Sequence, residues 1–496
     1  MGVQGKEADD SDPSVWSRSS LDRSSEKKAR TKVDFSVLPL LYLGFFVFQL
    51  DRMNIASAIT DGFATDIHVT QSTINLGNQI LFAGIVAFEI PCNMAQQRVG
   101  PRKWLAGQIF VFGLLATMQV FVRNRGSFLA LKMLLGVAEA GYIPGAIYTL
   151  STWYRKEELA TRVAVFFFGM FSGNALNPLI ASGILQLDGC RGLKGWQWLF
   201  LIEGLFTISV FFLFLLFLPG SPAVPRPLLS SGLVKFSDSD KEILTARLNN
   251  PDEGNPEDNR GARISLQIVW KTVSNYRRWL HFVSSFAVFS TWSPLTTYTP
   301  SIIMSLGFDR TDANALAAVG ALLALAVVFG FAYLSDRVKL RGAIIVMAQL
   351  CYLITLIVAL TVQPHVNRWS RWGLWTAVNS FAVGYHPLHN TWVQVNCRDP
   401  RERSISIALW VMFSNSGLVA GAQYFQATDK PLYENGLRVM IAMVSVGMLA
   451  ALAQIGIYFV HNRRVSQGKH RPRDKSAPFM HVFVEASFNT ATVGDI

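Results

Sequence analysis

KMLLGVAEAGYIPGAIYTLSTWYRKEELATR, Lys132 to Arg162, decides how the rest of the chain is read. From Lys132 to Tyr154 every residue is apolar or small except one cation, one carboxylate and a few hydroxyls, and a charged run begins at Arg155. A helix of that length crosses a bilayer, at 1.5 Å per residue against about 30 Å of hydrocarbon. Lys132 and Glu139 stand two turns apart on one face, about 10 Å from each other. Charges at that depth cost several kcal/mol unless they face protein or a water-filled cavity. They either form an ion pair that pins helices together or line a site for a charged solute, and the second fits better.

Outward from that stretch the composition repeats the message. The chain has 496 residues, 51% hydrophobic and only 16% charged, where a soluble domain carries about 25% charge. The net charge of +12 would suggest nucleic acid in a soluble protein. Here Lys and Arg sit mainly in tails and short loops, where they orient helices in a bilayer. Cys92, Cys190, Cys351 and Cys397 have no metal-ligand spacing, so neither a disulfide framework nor a metal site is expected.

Apolar runs predict twelve helices, near 35–59, 72–95, 103–122, 127–154, 162–187, 197–218, 279–304, 312–335, 342–362, 370–396, 404–427 and 436–460. The fold class is therefore an all-α membrane protein of twelve transmembrane helices. Residues 1–32 read as a disordered N-terminal tail, 33–218 as one six-helix half, 219–278 as a polar central loop, 279–460 as a second half and 461–496 as a C-terminal tail. Six plus six suggests a repeat with a site between the halves near the midplane. Four short loops hold three cations each (for example Arg98, Arg102 and Lys103), whereas the six loops at the other face hold nine in all. That bias places the richer loops, both termini and the central loop in the cytoplasm.

Intramembrane polar groups narrow the function. In LDRMNIASA, Leu50 to Ala58, Asp51 and Arg52 lie about 24 Å along the first helix and at a depth comparable to Lys132 and Glu139. Two cations and two carboxylates together suit an anion-binding cavity: the cations hold a substrate oxyanion, and a desolvated carboxylate takes up a proton. Glu139, with only small or apolar neighbours from Leu134 to Ile143, is the expected proton carrier, with Asp51 as its partner. The plainer alternative pairs Asp51 with Arg52. Glu89 and Glu203 read as packing or capping groups near helix ends, His386 equally as structural group or ligand, and Asn415 as a helix–helix hydrogen bond. Pro294 and Pro300 suggest a kink in the seventh helix.

Longer motifs bring a resemblance. DRMNIASA at Asp51, EIPCNMAQQRVGPRKW from Glu89, GVAEAGYIPGAIYTLSTWYRKEELATR from Gly136, GWQWLFLIEG from Gly195, YTPSIIMSLGF from Tyr298, SDR at Ser335 and DKPLYENG from Asp429 resemble the major facilitator superfamily. Within it they resemble the anion:cation symporter family, especially its fungal allantoate-permease-like branch, over residues 34 to 460. The resemblance implies the major facilitator fold, proton coupling through Asp51 and Glu139, and anion binding by Arg52 and Lys132; Asn54, Tyr298 and His386 are further candidate substrate contacts. Lys132 replaces the family's usual Arg, keeping the charge without the planar fork. The gate between helices 2 and 3 keeps Arg98, Arg102 and Lys103 but has Gln97 where an Asp is usual; the matching loop of the second half keeps Asp336 and Arg337. Asn177-Pro178 stands where drug:proton antiporters have Gly-Pro, which counts against export.

The expected function is thus a secondary active transporter: proton-coupled uptake of a small organic anion, such as a nicotinate-like carboxylate, a ureido acid or a vitamin, through a monomer in the plasma membrane. An anion entering an inside-negative cell alone works against about 2.3 kcal/mol per charge per 100 mV, and a co-transported proton cancels that for a monoanion. An efflux carrier for a secondary metabolite is the alternative. A non-transporting nutrient sensor would carry a longer signalling extension, and no nucleophile–base pair, metal cluster or phosphate loop supports an enzyme. No cofactor is expected beyond the proton gradient.

Overall fold

The computed structural model describes residues 13–230, 232–248, 266–397 and 400–467. Among these, nine helices are long and apolar enough to cross a membrane, from Ser24–Thr60 at one end to Glu434–Ser466 at the other. Three more complete the twelve: Trp279–Ser290 continued by Trp292–Ser305, Arg368–Phe381 continued by His386–Val395, and Pro400–Gly421.

Their packing repeats itself. In the first half the first span packs on the fifth and sixth, the second on the fourth and the third on the sixth. Adding six to each number gives the second half: seventh on eleventh and twelfth, eighth on tenth, ninth on twelfth. Between the halves the second span meets the eleventh and the fifth meets the eighth, again one pair seen twice, while the first meets the seventh. The chain is built from two like bundles whose mutual contact is itself twofold, the arrangement that puts a site between repeats.

Three spans are broken, and each break has the same chemistry. The fourth ends at Glu139 and restarts at Tyr142, the seventh breaks between Ser290 and Trp292, and the tenth between Phe381 and His386. Pro144, Pro294 and Pro387 lie in the first turn of the restarted piece, where the missing N–H costs nothing because first-turn amides lack intrahelical partners anyway. In the fourth span Gly141 takes φ +76, and a Cβ there would lie 2.8 Å from that of Cys92. The unbroken helix expected over 127–154 is therefore two helices, because a left-handed glycine followed by proline cannot continue one.

The N-terminal tail is more ordered than its composition suggested. The first helix begins at Pro13, inside the stretch read as a disordered tail over 1–32; residues 1–12 lie outside the described set. Its early turns bury Ala29 and Val33, and Arg30 meets Glu158 at 3.0 Å while Lys32 meets Asp240 at 2.6 Å. Asp240 belongs to Asp238–Leu248, a helix within the polar 219–278 segment. The docked face of that helix is Asp240, Leu244 and Arg247, at i, i+4 and i+7 on one side and mostly charged, which hydropathy alone conceals. At the other end the last helix continues to Ser466, and residues 468–496 lie outside the described set.

Candidate functional site

Hydrogen bonds and ion pairs that join the halves gather at the end away from the termini. Gln71 and Asn75 donate to the Phe425 carbonyl at 3.1 and 3.0 Å, Asn78 to Thr297 at 3.0 Å and Gln79 to the Val419 carbonyl at 3.1 Å. Asn314 donates to Thr60 at 2.9 Å, and Arg310 pairs with Asp61. Tyr298 donates its hydroxyl to Asn75 in the same layer. It belongs to the seal rather than to the cleft lining.

Below that seal, between the halves, lies a cleft with two adjoining chambers. One holds about 460 Å³ of empty space and is lined by Arg52, Lys132, Gln49, Asn78 and Phe82 of the first half with Trp292 and Thr296 of the second. The other, about 630 Å³ and partly open to solvent, is lined by Ser57, Asn174, Asn177, Thr299 and Asn379 among apolar groups. Met53, Trp292 and Thr296 border both. The charged chamber is cationic at its wall, and the second is neutral and rich in carboxamides.

Behind the cationic wall the charges are paired, in an order that adjacency in sequence does not give. Arg52 Nε donates to Glu139 Oε2 at 2.7 Å, with Glu139 almost wholly buried, and the guanidinium lies over the Phe48 ring at 4.2 Å. A charge-assisted bond of that length is among the stronger kinds. Asp51 points the other way and meets the Thr207 hydroxyl at 3.2 Å. The Asp51–Arg52 pairing is therefore not formed; consecutive residues on a helix diverge by about 100° and do not face each other. Lys132 is 2% exposed and interacts with both Glu139 and Asp51.

Several candidates fall elsewhere. Asn54 is fully buried and turns its carboxamide to the Glu203 carboxyl inside the first half, away from the cleft-lining residues. His386 is stacked on Phe289, with centroids 4.1 Å apart, and packs against Trp410, so it too lies off the lining. Nearby, His281 Nδ1 contacts His389 Nε2 at 3.0 Å, and its Nε2 contacts the Tyr458 hydroxyl at 2.9 Å. The second half thus buries a histidine–tyrosine chain where the first buries charges.

Of the gate residues, Arg102 donates to the Arg226 carbonyl and Arg337 lies over its own helix's Tyr333 ring. Arg98, Lys103 and Asp336 are exposed and make no ion pair among the described residues.

Glu89 and Glu203 were read as end-of-helix groups, and the structure corrects both. Glu89 is 3% exposed, ten residues before its helix ends at Val99, and faces Asn415 of the eleventh span. Glu203 is 2% exposed in the interior of Gly195–Phe217, one turn before Thr207. The available signal was a carboxylate with apolar sequence on both sides, the same signal that singled out Glu139. The neutral chamber was also missed; its asparagines stand singly in different helices, and only the fold gathers them.

The sequence profile described as "Major Facilitator Superfamily" matches residues 41–422, and the chain belongs to that family. It is 28% identical over 441 residues to the "High-affinity nicotinic acid transporter" of Saccharomyces cerevisiae, covering 87% of this chain and 78% of that one. It is 27% identical over 312 residues to a "Putative tartrate transporter" of Agrobacterium vitis, covering 63% and 66%. Among solved structures, a bacterial homologue of the human lysosomal transporter Spinster superposes with a TM-score of 0.65 at 16% identity, covering 90% of this chain and 99% of the other. The protein is a multi-pass membrane transporter of a small molecule, not an enzyme.

Proposed function

We propose that this Major Facilitator Superfamily transporter takes up a small organic anion together with protons, by alternating access across the two-chamber cleft. The observation that carries the reading is the Arg52–Glu139 pair at 2.7 Å on a cleft wall that also presents Lys132. Arg52 gives its Nε–H to Glu139, and while Glu139 is ionised the positive charge of the guanidinium is already balanced. Protonating Glu139 removes its claim and frees Arg52 for a substrate oxyanion; losing that proton restores the pair and expels the anion. Competition for one guanidinium thus couples proton to substrate, and Glu139 and Asp51 remain the proton-coupling groups. The neutral chamber beyond Trp292 then receives the substrate's uncharged body. That relatives carry the names of nicotinic acid and tartrate transporters, both carboxylates, agrees with an anionic substrate.

With the termini cytoplasmic, as the loop charges favour, the sealed end faces outward. The site then opens inward, and the carrier works as a monomer in the plasma membrane. Uptake of radiolabelled nicotinate and a panel of other carboxylates into cells lacking their own carriers, at pH 5 and pH 7.5 with and without a protonophore, tests the proposal. Greater uptake at pH 5 that the protonophore abolishes is expected. Proton-stimulated loss of preloaded substrate would instead establish an efflux carrier.

A further inference from the structure

We propose that the entry to the seventh span is a docking site for an anionic phospholipid, in the leaflet on the face that carries the termini. The site lies outside the cleft and holds whichever solute the carrier moves.

The two like halves supply their own comparison. At the entry to the first span the cations have protein partners. Arg30 meets Glu158 at 3.0 Å, Lys32 meets Asp240 at 2.6 Å and Arg162 meets Asp34 at 3.0 Å. Arg247 is shared between Glu26 and Glu158, each at 2.7 Å. At the entry to the seventh span Arg278 is held in the same way, nearly buried against Glu402 at 2.7 Å. Lys271, Arg277 and Arg464 are different, for they make no ion pair among the described residues. The cause is in the sequence: no Asp or Glu occurs between Asn259 and Phe308, or between Asn435 and Arg473.

The fold gathers these cations. Arg277 Nη1 lies 3.3 Å from His461 Nδ1 of the last helix, and Arg464 stands one turn beyond His461 on the same face. Lys271 belongs to the short helix Leu266–Val273, which packs on the eleventh span. The Trp279 indole ties that helix to the seventh span by donating to the Val273 carbonyl at 2.8 Å. Like charges gathered without a counter-ion repel, and an anionic headgroup supplies the counter-ion.

Exposed rings show that the counter-ion is a lipid. Trp270 is 74% exposed and Tyr276 73%, both within ten residues of the first residue of an apolar span. Rings so exposed are a liability in water, whereas the headgroup boundary is where Trp and Tyr concentrate in membrane proteins. A short helix carrying such rings beside a lysine lies in the plane of that boundary. Acyl chains then cover the rings, and the headgroup lies level with the cations. Its phosphodiester oxygens accept the parallel hydrogen bonds of a guanidinium fork. Each basic residue near an anionic surface strengthens the attraction about fivefold.

Native mass spectrometry of the purified full-length protein with equimolar phosphatidylserine and phosphatidylcholine supplies the test. The wild type should retain phosphatidylserine, which carries a net negative charge, about tenfold better than the neutral lipid. K271Q/R277Q/R464Q should bring the two to equal retention. R464Q alone, at an exposed position, should lose part of the preference, which keeps the test valid if the triple variant folds poorly. R123Q/R125Q, which removes exposed cations at the other face, should keep the preference whole. Equal retention by the wild type, a preference unchanged by the triple and single variants, or an equal loss in R123Q/R125Q would overturn the proposal. So would displacement of the lipid by excess glycerophosphoserine, which would make the occupant a soluble anion.

Discussion

Arg52 turns from its neighbour Asp51 to meet Glu139, 87 residues away in sequence, at 2.7 Å. The pair ties the first span to the fourth across the wall of the cleft. It also leaves Lys132 as the cation that faces Asp51.

Glu139→Gln mimics the protonated state and frees Arg52 permanently. Substrate binding and exchange across the membrane should persist, while accumulation against a gradient should be lost. Counterflow and net uptake in proteoliposomes separate the two, and pH-dependent accumulation by this variant would move the coupling role to Asp51.

Arg52→Gln should weaken substrate binding by about 2–5 kcal/mol, the cost of leaving a desolvated charge without its partner. Lys132→Arg should bind as well as the wild type or better, since a guanidinium adds a second parallel hydrogen bond to an oxyanion. Equilibrium binding of the transported anion to purified variants measures both. Normal affinity in Arg52→Gln would make that cation purely structural.

Gly141→Ala should destabilise the transporter by at least about 1–2 kcal/mol, the penalty for a side chain in the left-handed region. Its Cβ would also lie 2.8 Å from that of Cys92. Gly107→Ala is the control, because a Cβ there meets nothing within 4 Å and alanine is the better helix former by about 0.5–1 kcal/mol. Thermal melts of the two variants in detergent should move in opposite directions.

Acid should release the helix Asp238–Leu248 and the start of the first helix from the face that carries the termini. Burial pushes the Glu158 carboxyl up, but Arg30 and Arg247 outweigh it and hold the group below its ordinary value. A depressed carboxylate stabilises the folded arrangement above its unfolded pKa of about 4.3, and that contribution is lost as pH falls through the lower folded value. Hydrogen exchange at Asp238–Leu248 should therefore rise below about pH 4 in the wild type, and Glu158→Gln should show the faster exchange already at neutral pH.

Tags at the N-terminus or at residue 235 should stay unlabelled from outside on intact cells and become accessible on permeabilisation. Labelling before permeabilisation would invert the proposed topology and place the sealed end in the cytoplasm.

The twelve spans and the twofold organisation were legible because apolar length is a one-dimensional property. Lys132, Glu139, Asp51 and Arg52 were legible for the same reason: a charge inside an apolar run stands out. Their pairing was not, since facing direction depends on helix rotation, and Asp51 and Arg52 point about 100° apart. Asn54 and His386 were placed on the right helices but on the wrong faces. Glu203 was discounted by its distance from a helix end, yet burial is set by the third and first spans packing over it. The breaks at Gly141, Thr291 and Ala382 were visible only as scattered Gly and Pro, whose effect depends on which residue opens the following turn.

The seal between the halves is made mostly of neutral carboxamides giving hydrogen bonds to carbonyls and hydroxyls: Gln71, Asn75, Asn78, Gln79 and Asn314. None of these groups titrates at physiological pH, and dipolar bonds in a buried layer respond weakly to salt. Arg310–Asp61 is the one ion pair among the contacts named there, and Asp61 is buried within it. An acidic or saline medium on that side therefore leaves the closure intact. On the proposed coupling, acidity then acts through the buried carboxyls behind the cleft wall and not through the closure itself.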